Sequence, residues 1–314
     1  MNRFHRYFYR VDNKRLPEYL RKEILKIKTR KDIFETAKVI REKELNTVCS
    51  SSRCPNLNLC YSNKTATFLM LGDKCTRKCP FCNIDYIDYQ SYVNTISTVD
   101  VFEPQKIAYA VKSLDLRHAV ITMVTRDDLE DGGAGVLVRA VKEIREKTDC
   151  KIVEVLTSDF NGNEKSVTDV SGSSINIFGH NMETVERLYE TVRPLSSYRR
   201  SLYLLKKVKK ESPDVALKSG IMVGLGEDDS EVFQTIDDLI NIGVDFMTIG
   251  QYLRPSLKNI PVHRFVDLER FIAYKNYAEK GGIRNVFSAP LVRSSFGAEK
   301  FFKHSYTTNR GMPL

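Results

Sequence analysis

The chain has 314 residues, 42% of them hydrophobic and 28% charged, which excludes intrinsic disorder and suffices for one large domain or two small ones. No run approaches the roughly 18 consecutive apolar residues of a membrane-spanning helix, so we expect a soluble protein. The net charge of +9 indicates an acidic partner, which is nucleic acid, an anionic membrane surface or an acidic protein.

The N-terminal residues Met1–Arg10 are basic and aromatic, and they lack the continuous apolar core of a secretory signal. An acidic residue appears early, at Asp12, and no serine precedes Ser50, which argues against a transit peptide. We therefore expect a cytoplasmic location, where thiols stay reduced. In that setting seven cysteines indicate a metal or catalytic role rather than disulfides.

The first elements surround the cysteines. Residues 31–45 place apolar side chains near helical spacing and predict a helix. Cys49–Ser62 is predicted to be a polar loop, interrupted by Pro55. Thr65–Gly72 predicts a buried strand, and Cys75 follows immediately, so the next cysteines lie on the loop that leaves this strand.

Beyond Cys75, short apolar runs alternate with stretches of helical periodicity. The predicted strands are Ala119–Thr125, Lys151–Thr157, Ser174–Phe178, Ala216–Gly224 and Val244–Gln251. The predicted helices are Pro104–Leu114, Ala134–Lys147, Met182–Val192, Tyr198–Lys210, Ser230–Ile242 and Val266–Lys280. With the strand before Cys75, this alternation predicts an α/β fold with a parallel sheet, closed or open. A final piece, Asn285–Val292, leads into Arg293-Ser294-Ser295.

Polar or glycine-rich clusters follow several of these strands. They are the cysteine loop, Arg126-Asp127-Asp128, Asn181 and Gly224-Leu225-Gly226-Glu227. In parallel α/β folds the active site lies at the carboxyl ends of the strands, so we expect it there.

Six of the seven cysteines form two triplets, which we call the first and the second triplet. The first has the spacing C-x4-C-x5-C and the second C-x3-C-x2-C; they comprise Cys49, Cys54 and Cys60, and Cys75, Cys79 and Cys82. Structural zinc is disfavoured because neither triplet has a fourth cysteine or a nearby histidine. Iron–sulfur clusters fit better, and a cubane held by three cysteines keeps one iron open for another ligand.

Two such sites imply chemistry at both, or a fourth ligand from elsewhere in the chain. A plain electron carrier with two clusters would use four cysteines at each, and this chain does not offer eight. Cys150 belongs to neither triplet and is predicted to be a buried structural residue.

The second triplet, in the form Cys75-Thr-Arg-Lys-Cys79-Pro-Phe81-Cys82, resembles the motif of the radical S-adenosylmethionine (SAM) superfamily. The first triplet, with Pro55 and Asn56 after its second cysteine, narrows the resemblance to the lipoyl synthases. It extends over about Pro17–Phe302. Further matching stretches are Thr65–Phe68, Arg126–Ala134, Val192–Pro194, Lys218–Glu227 and Gln251–Ser256.

The resemblance implies a partial (β/α)6 TIM-like barrel of the radical SAM type, over residues 65–260. An N-terminal extension, 1–64, carries the first triplet, and a C-terminal extension, 261–314, carries the Arg-Ser-Ser motif. It implies two 4Fe–4S clusters and two SAM molecules per lipoyl group. In the family, SAM is cleaved at the cluster of the second triplet to give a radical. This radical removes hydrogen from C6 and C8 of an octanoyl chain, which side-chain acids and bases cannot do because these C–H bonds are not acidic. The first triplet's cluster supplies the sulfur.

The resemblance also implies individual roles. The fourth ligand of the first-triplet cluster in the family is the second serine of the Arg-Ser-Ser motif, here Ser295, so this serine and Cys49, Cys54 and Cys60 are expected to be catalytic metal ligands. Cofactor contacts are implied at Phe81, Asp128, Gly132, Gly133, Asn181 and Lys218. Asp128 also suits helix capping and the glycines also suit turns, and the residues alone do not separate these roles.

The chain departs from the family pattern at three positions. Phe296 stands where Tyr follows the serines, Gly179 replaces the first Asn of Asn-His-Asn, and Tyr19 stands where Trp is common. None of them is an expected cluster ligand, and Gly179 has no side chain for a polar contact at that position.

The implied partners are octanoylated lipoyl domains of 2-oxoacid dehydrogenase E2 subunits or the glycine cleavage H protein, with an electron donor such as ferredoxin or flavodoxin and a cluster-assembly carrier. Neither nucleic acid nor membrane is expected, and the protein is expected to be a monomer. The alternative is a radical SAM methylthiotransferase acting on transfer RNA, which would also explain the positive charge. In that family, however, the extra cysteines are spread over a separate domain and a nucleic-acid-binding module follows the barrel.

Overall fold

The computed structural model describes residues 16–26, 33–87 and 99–295; Met1–Arg10 and Phe296, named above, lie outside the described residues. The α-helices are α1 Glu18–Lys26, α2 Ile33–Glu42, α3 Val48–Ser51, α4 Leu57–Ser62, α5 Glu103–Ser113, α6 Ala134–Lys147, α7 Glu164–Ser171, α8 Tyr189–Val192, α9 Tyr198–Glu211, α10 Asp229–Ile242 and α11 Leu268–Lys280. The strands are β1 Asn46–Thr47, β2 Thr67–Met70, β3 Lys74–Cys75, β4 Asp85–Tyr86, β5 His118–Met123, β6 Ile152–Leu156, β7 Ile177–Gly179, β8 Ala216–Val223, β9 Phe246–Gln251 and β10 Asn285–Ser288.

The main sheet has the order β1-β2-β5-β6-β7-β8-β9-β10. Strand β1 pairs antiparallel with β2, and every later neighbour pair in this sheet is parallel. Strands that follow one another in the chain lie side by side because helices such as α6 and α10 return the chain to the same end of the sheet. Strands β3 and β4 form a separate small ladder beside the second triplet. The predicted α/β fold with a parallel sheet is confirmed, and β1 and β10 add two strands to the six predicted.

The sheet curves around one space. Thr67 on β2 and Gly250 on β9 lie near opposite ends of the strand order, yet they line the same cavity. Within the described ranges, no pairing joins β1 to β10, so the sheet is an open, barrel-like one. All carboxyl ends of its parallel strands meet on one side, where the cavity opens.

A continuous apolar core holds this sheet against its helices. Every residue of β2, β5 and β9 is buried, as expected for parallel strands covered on both faces. Cys150 belongs to this core, and its thiol donates a hydrogen bond to the Ile152 carbonyl at 3.1 Å, as predicted for a structural cysteine. No helix in the part of the chain that the structure describes is both long and apolar enough to cross a membrane.

The segment Met182–Val192 differs from the predicted helix. Glu183 lies alongside β8 instead: its N–H donates to the Gly220 carbonyl at 3.0 Å, and its carbonyl accepts from Met222 N–H at 2.8 Å. This pairing keeps the chain out of helical geometry, and α8 begins only at Tyr189. The prediction failed because apolar spacing does not reveal a competing strand partner.

Helices also occur where a loop was predicted, at Cys49–Ser62. The Thr47 side chain accepts a hydrogen bond from Ser50 N–H at 3.3 Å and caps α3, and α4 starts after Asn56. Two short helices therefore carry the first triplet. Helices α1 and α7 were not predicted either; α7 begins at an Asn163 cap, whose side-chain oxygen accepts from Ser166 N–H.

Candidate active site

Both cysteine triplets line one cavity of about 340 Å³ at the carboxyl ends of the strands. Ser295 lines the same cavity, although it lies more than two hundred positions after either triplet in the chain. The fold therefore brings together the two sets of thiols and the expected serine ligand. The predicted ligands that line this cavity are Cys49, Cys54, Cys60, Cys75, Cys79, Cys82 and Ser295.

The second triplet lies on the loop between β2 and β4, which curls so that its thiols face inward. The Arg77 N–H approaches the Cys75 Sγ at 3.4 Å, and Cys82 N–H donates to the Cys79 carbonyl at 2.9 Å. From the opposite side, the buried Asn259 Nδ2 donates to the carbonyls of Pro80 at 3.1 Å and Cys82 at 2.7 Å. The loop is thus held by hydrogen bonds of its own and by the Asn259 side chain.

A buried ion network anchors the same loop to the sheet. The Arg77 guanidinium pairs with both oxygens of Asp127, each at 2.7 Å, and with Asp159 Oδ1 at 2.7 Å. Arg200 Nε donates to the other oxygen of Asp159 at 2.8 Å. Burial by itself would raise the pKa of Asp159, but the hydrogen bond and charge of Arg77, with Arg200, hold that pKa well below its ordinary value.

A cation and a carboxylate stand beside the second triplet. Arg193 Nη1 donates to the Asn181 carbonyl at 2.8 Å, and Asn181 Nδ2 donates to Glu183 Oε1 at 2.9 Å. Burial raises the pKa of the Cys79 thiol to about 11, with Arg193 opposing that rise through its charge. Arg193 and Glu183 were not among the predicted site residues, although Glu183 follows a predicted strand end by a few positions.

The first triplet is carried by α3 and α4. Cys54 N–H donates to the Cys49 carbonyl at 3.0 Å, and Cys60 N–H donates to the Asn56 carbonyl at 2.9 Å. Burial raises the pKa of Cys49 to about 11, and it also raises that of Cys60, next to which the other two thiols lie. The three thiols therefore lie near one another, with Cys49 buried and Cys54 and Cys60 partly exposed to the cavity.

A direct contact joins the surroundings of the two triplets. Asn83, which directly follows the second triplet, donates from Nδ2 to the carbonyl of Ser51 in α3 at 2.8 Å. The relative placement of the two thiol sets is thereby fixed by a hydrogen bond as well as by the shared cavity wall.

The donor set fits iron–sulfur clusters. Burial raises the pKa of Cys79 to about 11 and of Cys82 to about 12, so these thiols need a bound cationic centre to ionise at neutral pH. Among the described side chains, no three His, Cys, Asp or Glu come close enough to share a single metal ion. A cubane distributes three thiolates over separate iron corners, so three cysteines without a fourth cysteine or histidine fit a cluster better than mononuclear zinc.

Two of the predicted cofactor residues, Phe81 and Asn181, line the cavity. Asp128 does not: both of its oxygens pair with the buried Arg126, at 2.8 Å from Nε and 2.7 Å from Nη2. Lys218 is also outside the lining and is buried in the sheet, with Nζ 2.7 Å from Glu154 Oε1. The contacts of Asp128 and Lys218 are those of structural ion pairs, and their cofactor roles stay predictions.

Gly132 and Gly133 lie outside the cavity lining as well, in the turn before α6. Gly133 has a φ of +88°, and a Cβ there would lie 2.3 Å from the Leu71 Cδ1. A Cβ on Gly132 would lie 3.1 Å from Phe160 Cδ1. The surroundings of both glycines are those of packing and turn geometry, and their cofactor roles stay predictions.

The chain matches the sequence model of the radical SAM superfamily over residues 69–239. Among solved structures it is similar to Streptococcus suis SuiB bound to S-adenosylmethionine, with TM-score 0.51, 12% identity and coverage of 70% of this chain and 49% of that one. It is also similar to the FeFe-hydrogenase maturase HydG from Carboxydothermus hydrogenoformans, with TM-score 0.50, 12% identity and coverage of 92% and 77%. At these identities the two structures support the fold alone.

Curated relatives are much closer in sequence. Lipoyl synthase of Caldicellulosiruptor saccharolyticus is 46% identical over 287 residues, covering 91% of this chain and 97% of the relative. Lipoyl synthase of Chlamydia caviae is 47% identical, with coverage of 91% and 88%, and that of Alkaliphilus metalliredigens 44% identical, with coverage of 93% and 97%. On this similarity, which spans nearly the full length of both partners, the chain belongs to the lipoyl synthase family of radical SAM proteins.

Proposed function

We propose that this protein inserts two sulfur atoms, at C6 and C8, into an octanoyl group attached to a lysine of a lipoyl carrier protein. The observation that carries the proposal is the single cavity that both triplets and Ser295 line. One substrate chain bound there reaches both sites without leaving the protein. Membership of the lipoyl synthase family supports the same reaction.

The second triplet is the proposed site of the SAM-binding cluster. Three thiols leave one iron of a cubane open, and the amino and carboxylate groups of SAM are the proposed occupants. Glu183 and Arg193 lie beside Cys79. The carboxylate of Glu183 complements the amino group of SAM, and the guanidinium of Arg193 complements its carboxylate. When bound, SAM and its cluster supply a carbon radical able to remove hydrogen from an unactivated C–H bond.

The first triplet and Ser295 are the proposed ligands of the cluster that donates sulfur. A serine oxygen is a hard ligand, which binds cluster iron less firmly than a thiolate does. Such a ligand suits a cluster that must open to release sulfur. The other three proposed ligands are the thiols of Cys49, Cys54 and Cys60. They attach the cluster to α3, to α4 and to the turn between these helices.

Between the triplets, the cavity wall offers apolar side chains for the octanoyl chain. Leu69, Met123 and Ile221 come from three different strands and line this space. Apolar walls bind an alkyl chain and exclude water from the reacting carbons. The polar end of the substrate, which is the amide to the carrier lysine, then lies at the opening of the cavity.

The proposal includes the partners and the organisation of the chain. The proposed substrates are octanoylated lipoyl domains of E2 subunits or the octanoylated H protein, and the proposed reductant is a ferredoxin or flavodoxin. A separate cluster-assembly protein is proposed to deliver iron–sulfur clusters. The enzyme itself is proposed to be monomeric and cytoplasmic. The acidic surface expected of such carriers complements the net charge of +9. The proposed organisation is an N-terminal extension over residues 1–64, a radical SAM barrel over 65–260 and a C-terminal extension over 261–314.

The test is anaerobic reconstitution with iron and sulfide, followed by SAM, a reductant and an octanoyl-lysine peptide. Mass spectrometry is expected to find two sulfurs added to the peptide, with methionine and 5′-deoxyadenosine released. Release of methionine from SAM without any sulfur on the peptide would contradict the proposal and favour the transfer-RNA methylthiotransferase.

A further inference from the structure

Gly250, near the end of β9, lies where the chain after β10 crosses the sheet. A Cβ built on Gly250 would lie 2.2 Å from the Val292 carbonyl oxygen and 3.2 Å from Arg293 Nη1. A contact of 2.2 Å with a backbone atom cannot be relieved by a side-chain rotation, because the whole segment has to move. We call the segment Leu291–Ser295 the serine arm.

The serine arm is also tied to the first triplet. Asn56 lies between Cys54 and Cys60, its side chain is buried, and its Nδ2 donates to the Leu291 carbonyl at 2.7 Å. The backbone carbonyl of the same residue accepts from Cys60 N–H. One asparagine thus connects the loop of the first triplet to the start of the arm.

Arg293 completes the contact. Its Nη1 donates to the carbonyls of Pro290 at 3.3 Å and Val292 at 2.6 Å, so the guanidinium folds back onto its own segment. It fills the space over Gly250, and its charge acts on Cys54. Any side chain at position 250 therefore displaces both the backbone of the arm and the cation beside the first triplet.

We propose that Gly250 and Asn56 are positioning residues for the fourth ligand of the first-triplet cluster. Gly250 sets how closely the serine arm lies on the ends of the strands, and Asn56 sets its distance from the thiols. Ser295 reaches the cluster only where both conditions hold. The inference rests on the proposed role of Ser295 as a ligand, and it assigns to two other residues the placement of that ligand.

The test uses Gly250→Ala and Asn56→Ala in the full chain, reconstituted anaerobically beside wild type. Iron release to a chelator measures how firmly each cluster is held. We expect iron equivalent to one cluster to leave at least about tenfold faster in both variants, the usual effect of removing support from a metal ligand. SAM cleavage by the second-triplet cluster is expected to stay near the wild-type rate.

Two further variants frame the result. Gly172→Ala is the matched control, since Gly172 has an ordinary φ of −82° at the end of α7, and a Cβ there would lie 3.2 Å from the Thr168 carbonyl. It is expected to release iron as wild type does. Ser295→Ala is the positive reference and is expected to show the same selective loss as Gly250→Ala.

Four outcomes decide the matter. Selective loss in Gly250→Ala and Asn56→Ala supports the inference. Retention of both clusters in these variants, with selective loss in Ser295→Ala, overturns the positioning role and leaves the proposed function intact. Retention in Ser295→Ala itself contradicts the ligand role, and the inference falls with it. If Gly250→Ala also lowers the melting temperature of the metal-free protein and loses both clusters together, Gly250 serves the fold and the positioning role is wrong.

Discussion

The two cysteine triplets are built in different ways. The second triplet lies on one short loop, and its thiols Cys75, Cys79 and Cys82 approach one another through local backbone turns. The first triplet lies on α3, on α4 and on the turn between them, and it shares the cavity with Ser295, which follows β10 in the chain. One site is thus mostly local, and the other exists only when distant parts of the chain meet.

Their supports differ in kind as well. The loop of the second triplet is held by a buried ion network of Arg77, Asp127 and Asp159. Neutral hydrogen bonds from Asn259 add to this support. The serine arm beside the first triplet accepts a neutral hydrogen bond from Asn56. It also packs closely over Gly250, where a side chain would not fit. The second site is therefore expected to respond to changes of charge, and the first to changes of volume.

The largest expected effect separates the two sites completely. Cys79→Ala is expected to abolish SAM cleavage, because two thiols do not hold the SAM-binding cluster, whereas Cys54→Ala is expected to retain cleavage and add no sulfur. The measurement is 5′-deoxyadenosine and peptide mass in one reaction. Cys150→Ala, in the core and outside the cavity lining, is the control and should do both. Sulfur insertion by Cys54→Ala would contradict the division of roles.

Adjacent serines sharpen the comparison at the first triplet. Ser295→Ala is expected to lower lipoyl formation at least tenfold, or about 1.4 kcal/mol in activation free energy, while 5′-deoxyadenosine still forms. Ser294→Ala is the matched variant, since Ser294 lines the same cavity but is not the expected ligand. Equal losses in both variants would show that neither hydroxyl acts alone as a ligand.

A charge-specific effect is expected at the second triplet. Arg77→Leu leaves Asp159 buried with one cation fewer, and breaking a buried pair costs about 3–5 kcal/mol. The free energy of unfolding of the metal-free protein should fall by about that amount, and the second cluster should load poorly. Arg77→Lys keeps the charge but loses the two-pronged pairing, so an intermediate result is expected. Unchanged stability and loading in Arg77→Leu would remove the charged anchor from the explanation.

A smaller effect concerns pH and the sheet below the site. Burial by itself would raise the pKa of Glu154, but Lys218 and His118 lower it to about 2. Because the folded pKa lies below the unfolded one, the stability from this group is present above about pH 4.5 and is lost as pH falls towards 2, by up to about 3 kcal/mol. Lys218→Met should reduce this acid loss in urea titrations, with His118 retaining part of it. An unchanged acid profile would mean that the pair does not govern it.

Much of the molecule follows from sequence where the signals are local. The second triplet, the strands of the parallel sheet and helix α6 were predictable because spacing and periodicity act over a few residues. The ligand role proposed for Ser295 comes only from family resemblance, since nothing in its neighbourhood in the sequence marks it as a ligand.

The remaining features depend on partners far away in the chain. Glu183 lines the cavity because its backbone pairs with β8, and a hydrogen bond from Arg193 to the Asn181 carbonyl holds Arg193 beside it. Asp128 and Lys218 were expected to contact cofactor, but charged residues at the ends of strands and inside them have the same sequence signature whether they face a ligand or another charge. Only the fold shows that Arg126 and Glu154 are their partners.

The most direct test follows the sulfur atoms themselves. The protein is reconstituted with a heavy isotope of sulfide, freed of unbound sulfide, and given SAM, a reductant and the octanoyl-lysine peptide. If the first triplet and Ser295 hold the cluster that donates sulfur, both sulfurs of the product carry the heavy isotope, and each chain makes no more than one lipoyl group. Product without the isotope, or many products per chain with no added sulfide, would contradict a sulfur-donating cluster at the first triplet.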